Sequence, residues 1–179
     1  VVQRSQYLAI WSRLGRYDTA ILDRLQFNEP RRLFEDWFHA ACILPLTEYR
    51  YRLPRKRLAR SEPSPYAQQW LSQPGNRELM DAALARVRAN GPVTVADFEY
   101  DGPRRDSWYD WKPARRALEY LIAWGELMIA RRDNFRRIYD LTERVLPEWV
   151  DRTEPTRDEM ILHEAERAVR VFGVCLSSH

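Results

Sequence analysis

Residues 91–147 read GPVTVADFEYDGPRRDSWYDWKPARRALEYLIAWGELMIARRDNFRRIYDLTERVLP, and the order of elements in this stretch decides the fold. An extended run, Val93-Thr94-Val95, is followed by Asp97. A hydroxyl with a carboxylate three positions later is a weak capping box, so a short helix is predicted there. Pro113 suits the first turn of the next helix, where its missing N–H would have no partner anyway. Ala114, Ala117, Leu118, Leu121 and Ile122 recur at helical spacing, Arg115, Arg116 and Glu119 fall on the other side, and Gly125 closes the helix. Leu127 to Ala130 and Ile138 to Leu141 read as strands, with Asp133-Asn134 where a hairpin turns.

An extended run, short helix, longer helix and hairpin make the order of a winged helix, in which one helix faces a DNA groove and a β-ribbon flanks it. Residues 76–91 supply the preceding helix: Asn76 as cap, Leu79, Met80, Ala83, Leu84 and Val87 as its buried stripe, and Asn90-Gly91 as its end. Arg131, Arg132, Arg136 and Arg137 surround the hairpin turn with Phe135 between them, and Asp133 is the one acid close by in sequence. Such crowding is costly through self-repulsion unless a polyanion sits there. DNA contacts are therefore expected from these four arginines and from Lys112, Arg115 and Arg116 on the helix. The competing readings are a solvated basic hairpin and a protein-interaction module on the same scaffold.

Upstream, residues 31–46 (RRLFEDWFHAACILPL) read as strand, the hairpin of an earlier unit. Glu35, Trp37 and His39 share a strand face, so a carboxylate and an imidazole could form an acid–base pair. Neither has a third partner in view, which favours a surface Glu35 and a hydrogen-bonded, half-buried His39. His39 and Cys42 lack a second pair at ligand spacing, so no metal site is expected. Trp108, Tyr109 and Trp111 lie beside cations and could stack on bases, although core packing is the commoner fate of tryptophan.

Residues 49–75 read as a basic, proline-punctuated linker. Every charge between Arg50 and Arg60 is positive, and Arg55, Lys56 and Arg57 could track a phosphate backbone or stay solvated. By contrast, 148–166 carries seven acids against Arg152 and Arg157, which suggests one basic and one acidic surface. Beyond it lies a helix with Met160, Ile161, Ala165, Ala168, Val169 and Phe172 on its apolar face.

The 179 residues are 45% hydrophobic and 31% charged with a net charge of +3, enough apolar matter for globular cores. Lys56 and Lys112 are the only lysines. Arginine suits phosphate and guanine contacts, but a GC-rich genome gives the same bias. Two cysteines, Cys42 and Cys175, imply no disulfide framework and favour a reducing compartment. No run reaches membrane-spanning length and no signal peptide is visible, so a cytoplasmic protein is expected. Val1 is not an initiator methionine and the last helix starts close to the C-terminus, so both ends read as cut.

The segments RSQYLAIWSRLGRYD (4–18), RRLFEDWFHAACILP (31–45), WYDWKPARRALEYLIAWGELMIARR (108–132) and FRRIYDLTERVLP (135–147) resemble the winged-helix family of bacterial DNA glycosylases that unhook interstrand crosslinks. The resemblance implies an α+β, mostly helical chain of tandem winged-helix units forming a concave body. In that scheme 1–48 ends a first unit, 49–75 is the linker, 76–147 is the central unit, and 148–179 is an acidic linker with the first helix of a third. A β-barrel would follow outside this chain. It further implies a nucleoid-associated, monomeric enzyme that hydrolyses the N-glycosidic bond of an alkylated or crosslinked purine in double-stranded DNA, with no cofactor or metal. Arg4 and Gln6 would join the DNA contacts, and Glu35, His39, Trp108 and Trp111 would line the site. The family's catalytic Gln-x-Gln or Gln-x-Asp motif would lie a few residues before Val1, and Gln3 and Gln6 have the wrong spacing to replace it. Gln6 stands where the family commonly has His, and Ala40 where it has Glu, which implies altered substrate choice or a divergent branch. A winged-helix transcription regulator binding duplex DNA is the alternative.

Overall fold

The computed structural model describes residues 4–37, 40–99 and 112–173. Helix α1 (Ser5–Leu14) stops at Gly15, whose φ of 71° takes the chain out of the helix. The Asp18 carboxylate then accepts from the Ala20 amide at 3.0 Å and opens α2 (Ala20–Phe27), as expected of a short acceptor at a helix start. Strands β1 (Leu33–Trp37) and β2 (Ala41–Pro45) pair antiparallel, Leu33 opposite Pro45 and Trp37 opposite Ala41. The stretch read as strand is thus a hairpin.

Residues 49–75 are largely helical rather than extended. Two single 3-10 turns, Leu46–Glu48 and Arg50–Arg52, run into α3 (Leu53–Ser61), and α4 (Pro65–Leu71) follows. The prolines that suggested a linker sit where a helix tolerates them: Pro54 and Pro65 occupy first turns, where an N–H is not needed. Arg52 and Lys56, one helical turn apart, point inward and are buried. Basic composition marked a solvated chain, but the helical period takes two of its cations into the protein.

Helix α5 (Asn76–Asn90) begins after Gly75 and ends at Gly91. Asn76 does not cap it; its amide donates to the Trp70 carbonyl at 2.8 Å and ties α4 to α5. Val93 then exchanges backbone hydrogen bonds with Tyr139 at 2.9 and 2.8 Å. The expected box forms: the Thr94 hydroxyl accepts from the Ala96 amide and the Thr94 amide donates to Asp97, closing a 3-10 turn, Val95–Asp97. Helix α6 (Pro113–Ala123) buries the five residues picked out by periodicity. Strands β3 (Leu127–Asp133) and β4 (Arg136–Leu141) pair antiparallel, with a register shift between Ile129 and Arg131. The turn falls at Asn134-Phe135, one residue later than predicted, and Asn134 adopts the left-handed conformation that asparagine tolerates. A short α7 (Thr142–Val145) and α8 (Arg157–Phe172) follow, the latter opened by a Thr156–Glu159 capping box.

The chain is α+β and mostly helical, with two small antiparallel sheets among the described residues. Two hydrophobic clusters form. One gathers α4, α5, α6 and the β3–β4 ribbon around Val87, Ala117, Leu118, Leu127 and Ile129; the other gathers Phe34, Leu44, Leu46 and Tyr49 with Met128, Leu146 and Val150. Strand alternation explains the link: Leu127 and Ile129 face one cluster while Met128, between them, faces the other. No described helix is long and apolar enough to cross a membrane.

The basic and acidic stretches do not form opposite surfaces. Arg50 pairs with Asp151 and Glu159 at 3.2 and 3.1 Å, and Arg57 with Glu154 at 3.0 Å. In return Glu48 receives His163 and Arg167 of α8, and the His163 ring stacks on Tyr51 at 3.6 Å. None of α8's residues is buried, so this helix is held through its polar side. Replacing the fully buried Leu118 with Ala is expected to lower unfolding free energy by about 2–5 kcal/mol, read from the urea midpoint at unchanged slope.

Candidate nucleic-acid interface

The β3–β4 register decides what the hairpin arginines do. Arg132 lies opposite Arg137, while Arg131 and Arg136 project from the other face of the ribbon because strand side chains alternate. Like charges directly opposite one another destabilise a sheet unless they are compensated. Here compensation comes from far away in sequence. Arg132 forms a fork with Glu35, its Nε 2.6 Å from Oε1 and its Nη2 2.5 Å from Oε2. Arg137 binds Glu119 of α6 and stands 3.9 Å from Glu35. Asp133 is the one acid close by in sequence, but the neutralising acids sit 97 and 18 residues away.

Glu35 is 7% exposed, so the reading of it as a surface charge is overturned. It also receives Arg4 Nη2 at 3.1 Å and Gln26 Nε2 at 2.8 Å. Burial pushes its carboxyl pKa up, but the hydrogen bonds and charge of Arg132, with Arg4 and Arg137, more than reverse this and hold it below the ordinary glutamate value. A carboxylate so clamped is ionised and fully engaged, which does not suit a general acid or base. Beside it, Asp36 accepts from Arg52 Nε at 3.1 Å and Lys56 Nζ at 3.2 Å, and Lys56 also donates to the Ile122 carbonyl at 3.0 Å. Burial pulls the Lys56 pKa down, with Asp36 opposing the shift. Arg31, 4% exposed, donates to the Ile129 and Leu33 carbonyls at 2.8 and 3.1 Å, and burial takes its pKa down to about 10.

The sequence-predicted contacts therefore divide. Lys56 is buried and structural, so it is withdrawn as a DNA contact. Arg4, Arg132 and Arg137 serve Glu35, and Arg57 is exposed but paired with Glu154. Gln6, in its better amide orientation, accepts from the Arg4 guanidinium at 2.7–3.0 Å and joins the same cluster. Lys112, Arg115, Arg131 and Arg136 are exposed, as is Arg55, while Arg116 is half-buried. Among the described residues no carboxylate pairs with Lys112, Arg131 or Arg136. His39, Trp108, Tyr109 and Trp111 lie outside the described residues. Sequence reasoning missed Gln26, Arg31, Arg52 and Asp36. Adjacent acids within an apolar strand, Glu35-Asp36, were the available signal, because buried carboxylates demand cations.

Three grooves meet at the hairpin tip, and Arg132 and Phe135 line each of them. The one facing α6 has a volume of about 470 Å³ and is edged by Thr94, Lys112, Arg115 and Arg136. Phe135, 63% exposed, stands out at the apex. A second groove, of about 510 Å³, lies between α1 and β2 and has Arg4, Gln6 and Glu35 in its wall. No group of three or more described His, Cys, Asp or Glu side chains is placed to hold a metal.

The sequence matches the family described as DNA glycosylase AlkZ-like over residues 2–177. The chain belongs to the AlkZ-like DNA glycosylase family. Membership makes this a DNA-repair protein that acts on DNA, a hydrolase of glycosidic bonds by class. No solved structure matches it. For an AlkZ-like glycosylase the split among the hairpin cations matters, since one pair faces inward onto protein carboxylates and the other pair faces solvent.

The buried charges set two expectations. Asp36→Ala leaves Arg52 and Lys56 buried without their shared partner and is expected to cost about 3–5 kcal/mol in chemical denaturation. Because the folded pKa of Glu35 lies below its unfolded value, its contribution is complete above the ordinary glutamate range. It is lost as pH falls through the lower, folded pKa. A melting series against pH should show this acid-side loss in the wild type and a smaller one in Glu35→Gln.

Proposed function

We propose that this chain is the DNA-binding portion of a glycosylase that hydrolyses the N-glycosidic bond of alkylated or crosslinked purines. In this reading α5, the Val93 bridge, the 3-10 turn, α6 and the β3–β4 ribbon form a winged helix with the ribbon as wing, and residues 1–48 end a preceding unit. The observation that carries the reading is the solvent face at the wing and the start of α6. Phe135 and Arg136 line one groove with Lys112 and Arg115, and Arg131, exposed on the other strand, lines a neighbouring groove with Phe135. Cations around a projecting aromatic suit a duplex, with guanidinium and ammonium groups on phosphates and the ring against a base step. The Val93–Tyr139 pairing supports the same reading, because an isolated bridge fastens the extended run to the edge of the ribbon.

The chain contains no Gln-x-Gln or Gln-x-Asp sequence, so bond cleavage is assigned to the full-length protein. Loss of a purine passes through an oxocarbenium-like sugar, which a carboxylate or amide stabilises while placing water opposite the leaving base. A purine alkylated at N3 or N7 is already cationic and leaves without a strong acid, and no metal or organic cofactor enters the reaction. A crosslinked base cannot leave the stack freely, so an open surface that grips the duplex suits such a substrate better than a deep pocket. The protein acts as a cytoplasmic monomer on the bacterial nucleoid.

Incubating the full-length protein with a duplex bearing N7-alkylguanine or a mustard crosslink should generate abasic sites. Strong preference for one undamaged sequence, with no abasic product, would favour a transcription regulator instead. The Arg131→Ala/Arg136→Ala double variant should weaken binding by a similar factor on every sequence. Its log K against log salt slope should become shallower by about 2, near 0.9 for each lost phosphate contact.

A further inference from the structure

We propose that Glu35 is a positioning residue for DNA engagement: by holding Arg132, and with Glu119 Arg137, on the inner face of the β3–β4 hairpin, it sets both the wing's placement and the number of phosphates it contacts. The inference rests on the DNA-binding reading above, with one arm of its test free of DNA. Three features carry it. The register puts two guanidinium groups opposite one another, an arrangement that needs an anion between or beside them. The anion present is a protein carboxylate, 7% exposed and held by a bidentate fork, so Glu35 occupies the place a phosphate would take against Arg132. The same carboxylate reaches Arg4 ahead of α1 and Gln26 of α2, so one residue joins the wing to the α1–α2 region and the first hairpin.

Glu35 thus sorts four chemically identical cations into two jobs. Arg131 and Arg136 are left to the polyanion, while Arg132 and Arg137 orient the ribbon. Removing the negative charge while keeping the shape frees Arg132, whereas Glu119 still holds Arg137. The neutral amide that Glu35→Gln introduces cannot hold three guanidinium groups, and Arg132 becomes available to phosphate.

The test uses the full chain with an undamaged duplex of about two helical turns, measuring affinity across a salt series. Glu35→Gln should keep or raise affinity at low salt and steepen the log–log slope by about 1, near 0.9 per added phosphate contact. Glu35→Asp should restore the wild-type slope, and Arg132→Ala added to Glu35→Gln should cancel the steepening. A merely structural role for Glu35 would lower the melting midpoint and the affinity together with an unchanged slope, and that result overturns the proposal. Should Glu35→Gln fail to fold, Arg132→Ala alone decides: an unchanged slope supports an inward-facing Arg132, and a slope shallower by about 1 refutes it. Hydrogen exchange of the residue 131–138 amides without DNA gives a separate readout. Faster exchange in Glu35→Gln supports the positioning role even if the wild type ignores DNA, and exchange at the wild-type rate overturns it.

Discussion

A single carboxylate, Glu35, surrounded by Arg4, Arg132 and Arg137, ties together the two hairpins of the described residues. Burying a charge is unfavourable on its own, and burying opposed arginines is worse. Together they become tolerable because the fork geometry of Arg132 satisfies both carboxylate oxygens, with Gln26 adding an amide donor. The arrangement works only if β1, β3, β4 and the start of α1 meet at one point, so the polar cluster specifies a geometry that apolar contact alone would leave looser.

The surrounding architecture serves that meeting. β3 divides its side chains between two hydrophobic clusters, and Arg31 clips the base of the first hairpin to the β3 carbonyls. One step along β1 from Glu35, Asp36 fastens the 3-10 turn and α3 through Arg52 and Lys56, and Lys56 passes on to the end of α6. Two adjacent acids on β1 therefore address two different neighbours, the β3–β4 ribbon and the helical segment after β2. The acidic C-terminal helix α8 is joined differently, by ion pairs at the surface and a ring stack, contacts individually worth little in water.

Function follows from what these internal pairs leave over. An AlkZ-like glycosylase must hold a polyanion, and its hairpin carries four arginines, yet protein carboxylates have taken two of them. Counting cations along the chain overstates how many remain exposed. The exposed set at the β3–β4 hairpin is smaller and better defined: Arg136 beside Phe135, opposite the start of α6, and Arg131 in the neighbouring groove.

Local chemistry was enough to read much of this chain from its sequence. The apolar stripe of α6, the Thr94 and Gly125 punctuation and the two strands around Asn134 depend on neighbours within a few residues, and each formed close to where periodicity and capping place it. The family likewise showed in short motifs that the match over residues 2–177 bears out. Long-range charge pairing was not legible. Proline and arginine made 49–75 look like a solvated linker, Glu35 looked like a surface acid, and four arginines looked free. Their partners lie 20, 97 or more than 100 residues away, and a pairing set by where folded elements meet has no signature in local spacing. What the amino-acid order determined was each element and its apolar face, and only the tertiary structure decided which charges would meet inside.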